Sequence, residues 1–198
     1  MKTLTTAAAL AAGVLLTAAT PSGAQTIGAK GGLNLSTLAV SPAGELGEIA
    51  AKPGVTAGAF MTFKEASKLS FEVAGLISMR RISFGPVITD TITYVEAPVL
   101  ARYRVMTRSR LLVRAVGGVV PAFRIVATEA VAGDSFSVKD AYKAIDLAVA
   151  VGAEVEWKKK WFVDARYLIG ASPVYEVTLG SERTRQRGIQ VLIGYRLR

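Results

Sequence analysis

Eight stretches of this chain alternate between apolar and polar side chains, and most of them run for ten positions or more. They cover residues 26–36, 54–63, 69–79, 91–105, 111–125, 144–157, 161–170 and 188–197. A period of two puts successive side chains on opposite faces of a β-strand. Strands in water-soluble proteins usually run about 5–6 residues, whereas a tilted strand needs ~9–11 to cross a bilayer. The lengths therefore predict membrane-spanning strands. Lipid offers no partner for an unpaired strand edge, so such strands must close into a barrel.

The two faces differ in kind. In the fourth segment Val95, Ala97, Val99, Ala101, Tyr103 and Val105 share one side, while Glu96, Arg102 and Arg104 share the other. The sixth sets Ile145, Leu147, Val149, Val151, Val155 and Trp157 against Asp146, Glu154 and Glu156. The third, seventh and eighth segments divide the same way. Charges mixed with Gly, Ala and Ser suit the inside of a narrow eight-strand barrel, and an unbroken apolar face suits lipid. A half-exposed soluble sheet is the competing reading, but water gives a surface face no reason to favour tiny residues.

Connections alternate in length. Residues 64–68, 106–110 and 158–160 form brief polar turns, whereas 37–53, 80–90, 126–143 and 171–187 are longer. Three short turns at one end and four long loops at the other, with both termini on the short side, is the outer-membrane pattern.

Residues 1–24 stand apart. Lys2 precedes an Ala- and Leu-rich run from residue 4 to 19, and Ser22-Gly23-Ala24 supplies the small residues of a cleavage site. That is the layout of an export signal peptide, with Gln25 as the expected new N-terminus. Its removal takes away one Lys, so 174 residues remain and the formal net charge falls from +9 to +8. Residues 25–198 then form one barrel domain. Every later apolar stretch is broken by a charge well short of the ~20 residues a membrane helix needs.

Cys and His are both absent. Thiol chemistry, Ser-His triads and most transition-metal sites go with them, and no cofactor is implied. The basic residues are spread singly through the alternating segments, which argues against a nucleic-acid partner.

Two constellations emerge from the inward and outward faces. Inward Lys30, Arg102, Arg114, Arg166 and Arg196 can pair with inward Glu72, Glu96, Asp146, Glu154 and Asp164. Charge removed from bulk water is costly unless it is paired, so five of each sign predict a zipped lumen, not an open pore. Glu96 is expected to pair with Arg102 on its own strand and Arg114 on the next. Phe63, Tyr103, Trp157, Trp161 and Tyr195 fall on the apolar face near the short turns, as an interfacial aromatic girdle would.

Other candidates carry less. Gly28-Ala29-Lys30-Gly31-Gly32 is glycine-rich but misses the phosphate-loop spacing, and no helix follows. Glu154 and Glu156 could in principle act as a general acid and base, with structural pairing as the plainer reading. Arg80-Arg81 and Arg183, Arg185 and Arg187 sit toward the long loops. There they either touch lipopolysaccharide phosphates or are simply solvated.

With those residues in view, the sequence resembles the PorT-like outer-membrane β-barrel proteins of Bacteroidetes and related bacteria. The resemblance rests on Gly28-Ala29-Lys30-Gly31-Gly32-Leu33-Asn34-Leu35-Ser36 and on Tyr94-Val95-Glu96-Ala97-Pro98-Val99-Leu100-Ala101-Arg102-Tyr103. Asp164-Ala165-Arg166-Tyr167 and Gly194-Tyr195-Arg196-Leu197 add to it. It implies an eight-stranded antiparallel transmembrane β-barrel in the outer membrane, inserted by the barrel-assembly machinery and surrounded by lipid. Such barrels often end on an aromatic residue, where this chain has Leu197-Arg198. Small outer-membrane enzymes such as lipid A deacylases generally use His, so a non-enzymatic structural or binding role is expected. The alternative is a narrow channel or a component of a secretion or transport assembly.

Overall fold

The computed structural model describes residues 25–41, 49–84, 88–131, 134–137, 143–158, 160–173 and 183–197. The signal-peptide segment, much of the long connections and Arg198 lie outside the described residues. Ten strands follow in order: β1 (Gln25–Ser41), β2 (Ile49–Phe63), β3 (Leu69–Phe84), β4 (Ile88–Glu96) and β5 (Val99–Arg108). Then come β6 (Leu111–Val131), β7 (Asp134–Ser137), β8 (Ile145–Trp157), β9 (Trp161–Pro173) and β10 (Arg183–Arg196).

These strands make eight staves. β4 and β5 are one stave, broken at Ala97-Pro98, and both halves pair with β3 and β6. Sequence periodicity had this stave as one strand. Pro98 has no N–H to give to a ladder, which accounts for the break. β7 is a short flap on the far end of β6. All pairings are antiparallel between chain neighbours, and β1 closes the ring on β10 from Gly28↔Arg196 to Ser41↔Arg183. The fold is an all-β, closed eight-stranded barrel.

Its stagger can be read from the register. Stepping from Lys30 through Gly58, Leu76 and Glu96 arrives at Ala122 on β6. Stepping the other way through Gly194, Phe162 and Glu156 arrives at Leu112, ten residues away on the same strand. That offset is the shear that tilts the staves and sets the bore of an eight-strand barrel.

Several staves outrun their expected bounds at the long-connection end. β1 continues to Ser41, β3 to Phe84 and β6 to Val131. At ~3.3 Å per residue the 21 residues of β6 extend roughly 70 Å along the strand, far beyond what a tilted membrane crossing needs. The connection expected over residues 80–90 shrinks to the three positions between β3 and β4. Ladder hydrogen bonds between neighbouring staves satisfy backbone groups that polar loop composition had hidden.

The outer face is apolar and exposed. Leu33, Leu35, Val55, Val99, Val149, Val151, Ile169, Ile189, Val191 and Ile193 all point outward, with exposures near one half. Contiguous apolar surface on that scale is foreign to a soluble monomer. No helix long and apolar enough to cross a membrane occurs among the described residues.

Candidate functional site

The interior is where this chain concentrates its chemistry. Inward positions on several staves run charged near the short turns, apolar or tiny in the middle, and polar again above. On β3 the inward series is Ser70, Glu72, Ala74, Leu76, Ser78 and Arg80. On β9 it is Phe162, Asp164, Arg166 and Leu168, and on β10 it is Arg196, Gly194, Leu192 and Gln190. The result is two charged clusters with an apolar septum between them.

The turn-end cluster is the larger. Glu154 lies among three guanidiniums: Arg114 at 2.7 Å, Arg196 at 2.9 Å, and Arg102. Glu156 accepts from Arg114 and Arg196, at 2.7 and 2.8 Å. Glu72 joins Arg102 to Lys30, and Asp164 joins Lys30 to Arg166. Glu65 reaches in from the turn after β2 to meet Arg114 and Arg102. Five cations and five carboxylates thus form one connected net. Arg104 holds that turn in place by donating to the carbonyls of Glu65, Ala66 and Ser67 at 3.0–3.3 Å.

Two aromatic rings pack against this net. Phe60 and Phe162 meet edge to face at 5.3 Å, with the Lys30 ammonium over one ring and the Arg196 guanidinium over the other. Gly28 and Gly194 make room for them. A Cβ on Gly194 would clash with the Phe162 ring, and one on Gly28 with the Tyr195 carbonyl and the Phe60 ring. Both glycines belong to the sequence motifs that open and close the barrel, and their reason is steric.

Beside the net, Phe60, Leu76, Phe162 and Leu192 form one buried apolar group. Leu100, Val116, Val120, Ala148, Ala150 and Leu168 form a second. Beyond them lies the loop-end cluster. Arg80 donates to Glu96, to Gln186 and, at 3.4 Å, to Asp146, and its guanidinium covers the Tyr94 ring at 4.6 Å. Gln190 donates to Glu96 at 3.2 Å. Asn34, Thr56 and Ser78 complete the layer with hydrogen bonds at 2.9–3.4 Å.

All ten residues read from the alternation as inward charges face the interior, are buried, and sit in at least one ion pair. Their partnerships differ from expectation in one respect. Glu96 pairs with Arg80, not with Arg102 or Arg114. Six residues of strand separate Glu96 from Arg102, about 20 Å at the usual rise, and the inward side chains of Pro98 and Leu100 lie between.

Arg80 is itself a correction. It lies toward the long loops as expected, but it is neither solvated nor open to phosphates: it is only 2% exposed, while Arg81 faces out. The parity of Glu72, Leu76 and Ser78 carries this signal once β3 is allowed to continue past Met79. Glu65 leaves no such trace, because it acts from a turn. The septum was also missed, since inward Leu and Val look like lapses in the alternation.

On the outer wall Phe63, Tyr103, Trp157, Trp161 and Tyr195 lie close to the short turns. Trp161 is cross-strand neighbour to both Trp157 and Tyr195, and its ring meets the Tyr195 ring at 4.8 Å. Phe71 stands opposite Phe63 and belongs to the same band. Lys68 and Lys160 cover the Tyr103 and Tyr195 rings, at 5.1 and 5.8 Å.

Comparison with known proteins decides the family. The model described as outer membrane protein beta-barrel domain matches residues 23–176. The chain belongs to this family. Its outward apolar face is accordingly the face that meets lipid in a bacterial outer membrane. Among solved structures this outer-membrane barrel is similar to Ail, the attachment invasion locus protein of Yersinia pestis. Identity is 13% and the TM-score 0.46, over 88% of this chain and 99% of that one. It is also similar to Neisserial surface protein A, at 14% identity and a TM-score of 0.49 over 87% of this chain and 95% of that one. OprG of Pseudomonas aeruginosa matches at 13% and 0.45, over 88% of this chain and 96% of that one. No curated protein matches the chain.

No group of three or more acidic residues arranged to hold a metal ion occurs among the described residues. Both oxygens of Glu154 and Oε2 of Glu156 accept from guanidinium donors.

Proposed function

We propose that this chain is a sealed integral barrel with a structural or binding role, not an enzyme. Residues 1–24 direct its export and are removed. The short turns and both termini face the periplasm, and the four connections at the other end are displayed outside. The residues quoted above make it a PorT-like member of its family. The lumen net acts as internal scaffolding, and the aromatic band anchors the short-turn end at the lipid headgroups. Exposed Arg81 and Arg187 are available to lipopolysaccharide phosphates, and the barrel-assembly machinery inserts the chain.

The observation that carries this reading is the septum. An ion crossing the lumen would have to leave one charged cluster, shed water past Leu76, Leu100, Leu168 and Leu192, and enter the other. Dehydrating a charge in such surroundings is prohibitive without partners.

Planar-bilayer recording on the refolded chain tests it, alongside heat-modifiable gel migration after membrane fractionation. The expected result is a folded, membrane-extracted band with no steady current. Ohmic current steps would replace this reading with the narrow channel or secretion component. N-terminal sequencing should begin at Gln25.

A further inference from the structure

The short-turn end of the barrel is hollow. A cavity of about 920 Å³ opens there, toward the upper end of the size of ordinary small-ligand pockets (~300–1,000 Å³). Its walls include Arg114, Glu156 and Arg196 of the lumen net together with residues of all three short turns. It therefore lies on the barrel axis, open to water, and not among the headgroups that ring the outer wall.

Its charge is one-sided. Within the cavity Arg114 and Arg196 are matched by Glu65 and Glu156. Arg104, Arg108, Arg110, Lys158 and Lys160 also line it, and none of these five has an ion pair among the described residues, although Arg104 donates to turn carbonyls and the Lys160 ammonium lies over the Tyr195 ring. Like charges gathered around a low-dielectric mouth repel one another and focus the field on whatever enters.

Backbone geometry adds an independent observation. Lys158 has φ of 53°, a left-handed conformation that glycine or asparagine adopts at less cost. Lys64 adopts the same conformation, at φ 55°, in the first short turn, and of the two it is Lys158 that lines the cavity. Guanidinium forks of the kind carried by Arg108 and Arg110 match the paired oxygens of carboxylate or phosphate. A monovalent ion would neutralise only one of the five.

We infer that this mouth binds a multivalent oxyanion, carrying several carboxylate or phosphate groups, that enters along the barrel axis from the aqueous side. That this side is periplasmic rests on the orientation proposed above, but the binding does not.

The chain carries its own reporter. Its two tryptophans, Trp157 and Trp161, flank the turn that bears Lys158 and Lys160. The detergent-folded full chain would be titrated with tripolyphosphate and, separately, with tricarballylate, against sodium chloride at equal ionic strength. Tryptophan fluorescence and calorimetry would follow both. Saturable binding of at least one probe, weakening with salt, is expected, and the tighter one distinguishes phosphate from carboxylate as the source. Replacing both Arg108→Gln and Arg110→Gln should weaken it by about tenfold or more, while Lys143→Gln at the far end changes nothing. Lys158→Asn should weaken binding severalfold while the urea midpoint holds or rises, a combination that a purely structural turn lysine does not produce. No saturation at millimolar concentration overturns the inference, as does unchanged affinity in the Arg108/Arg110 variant or in Lys158→Asn. Binding is read in detergent whichever way the barrel faces, so its failure leaves the sealed-barrel reading to its own test.

Discussion

The two charged clusters inside this barrel solve the same problem with different margins. At the turn end, five cations and five carboxylates share a net in which Glu154 answers to three arginines and Arg114 to three carboxylates. At the loop end, Arg80 alone joins Glu96, Asp146 and Gln186. Redundancy decides what each cluster can lose. A charge with several partners keeps some of its compensation when one is removed, whereas a charge with one partner is stranded.

The sharpest way to break this contrast is Arg80→Ala. It leaves Glu96 and Asp146 buried without that guanidinium, which should cost about 3–5 kcal/mol. A urea midpoint of the detergent-folded barrel, at unchanged slope, would measure it. Loss below about 1 kcal/mol would mean the loop-end cluster is wet and the septum incomplete.

An outward position sets the scale against the membrane itself. Val149 lies on the outer wall between Val119 and Ile169, and Val149→Arg should cost roughly 2–4 kcal/mol in a lipid or detergent belt. If arginine there is tolerated as on a loop, the assignment of faces fails.

At the turn end, Arg114→Gln should cost about 1–2 kcal/mol, because Arg102 and Arg196 still hold Glu154. A penalty as large as that of Arg80→Ala would remove the distinction between the clusters. Arg81→Ala provides the smallest effect. Its neighbour Arg80 points inward while it points out, so its replacement should stay within about 0.5 kcal/mol.

Much of this was legible in the residues before any coordinates. Alternation finds strands and faces because the period of two is a property of the backbone, and it places Lys30, Glu72, Arg102, Glu154 and Arg166 on the inner side of their staves. It does not say who meets whom across the bore. That depends on shear and side-chain reach, which is why Glu96 belongs to Arg80. Nor does it see Glu65, whose approach is made by a turn, or the septum, whose leucines are apolar on a face that otherwise reads as polar. The aromatic band was visible through Phe63, Tyr103, Trp157, Trp161 and Tyr195, whereas Phe71 was passed over as one more apolar residue of its strand.

The seam between β1 and β10 has a consequence for how the molecule comes to exist. Gly28 pairs with Arg196, so the first and last staves must find each other across nearly the entire chain. Until they do, two complete strand edges stand unpaired, each a template for the wrong neighbour. Such distant contacts make for slow folding, since closure entropy is spent before the ladder forms. A chain cut short before β10 would expose Gly28 through Ser41 permanently and should aggregate or be degraded instead of settling into a smaller barrel. Closure of this seam admits no partial success.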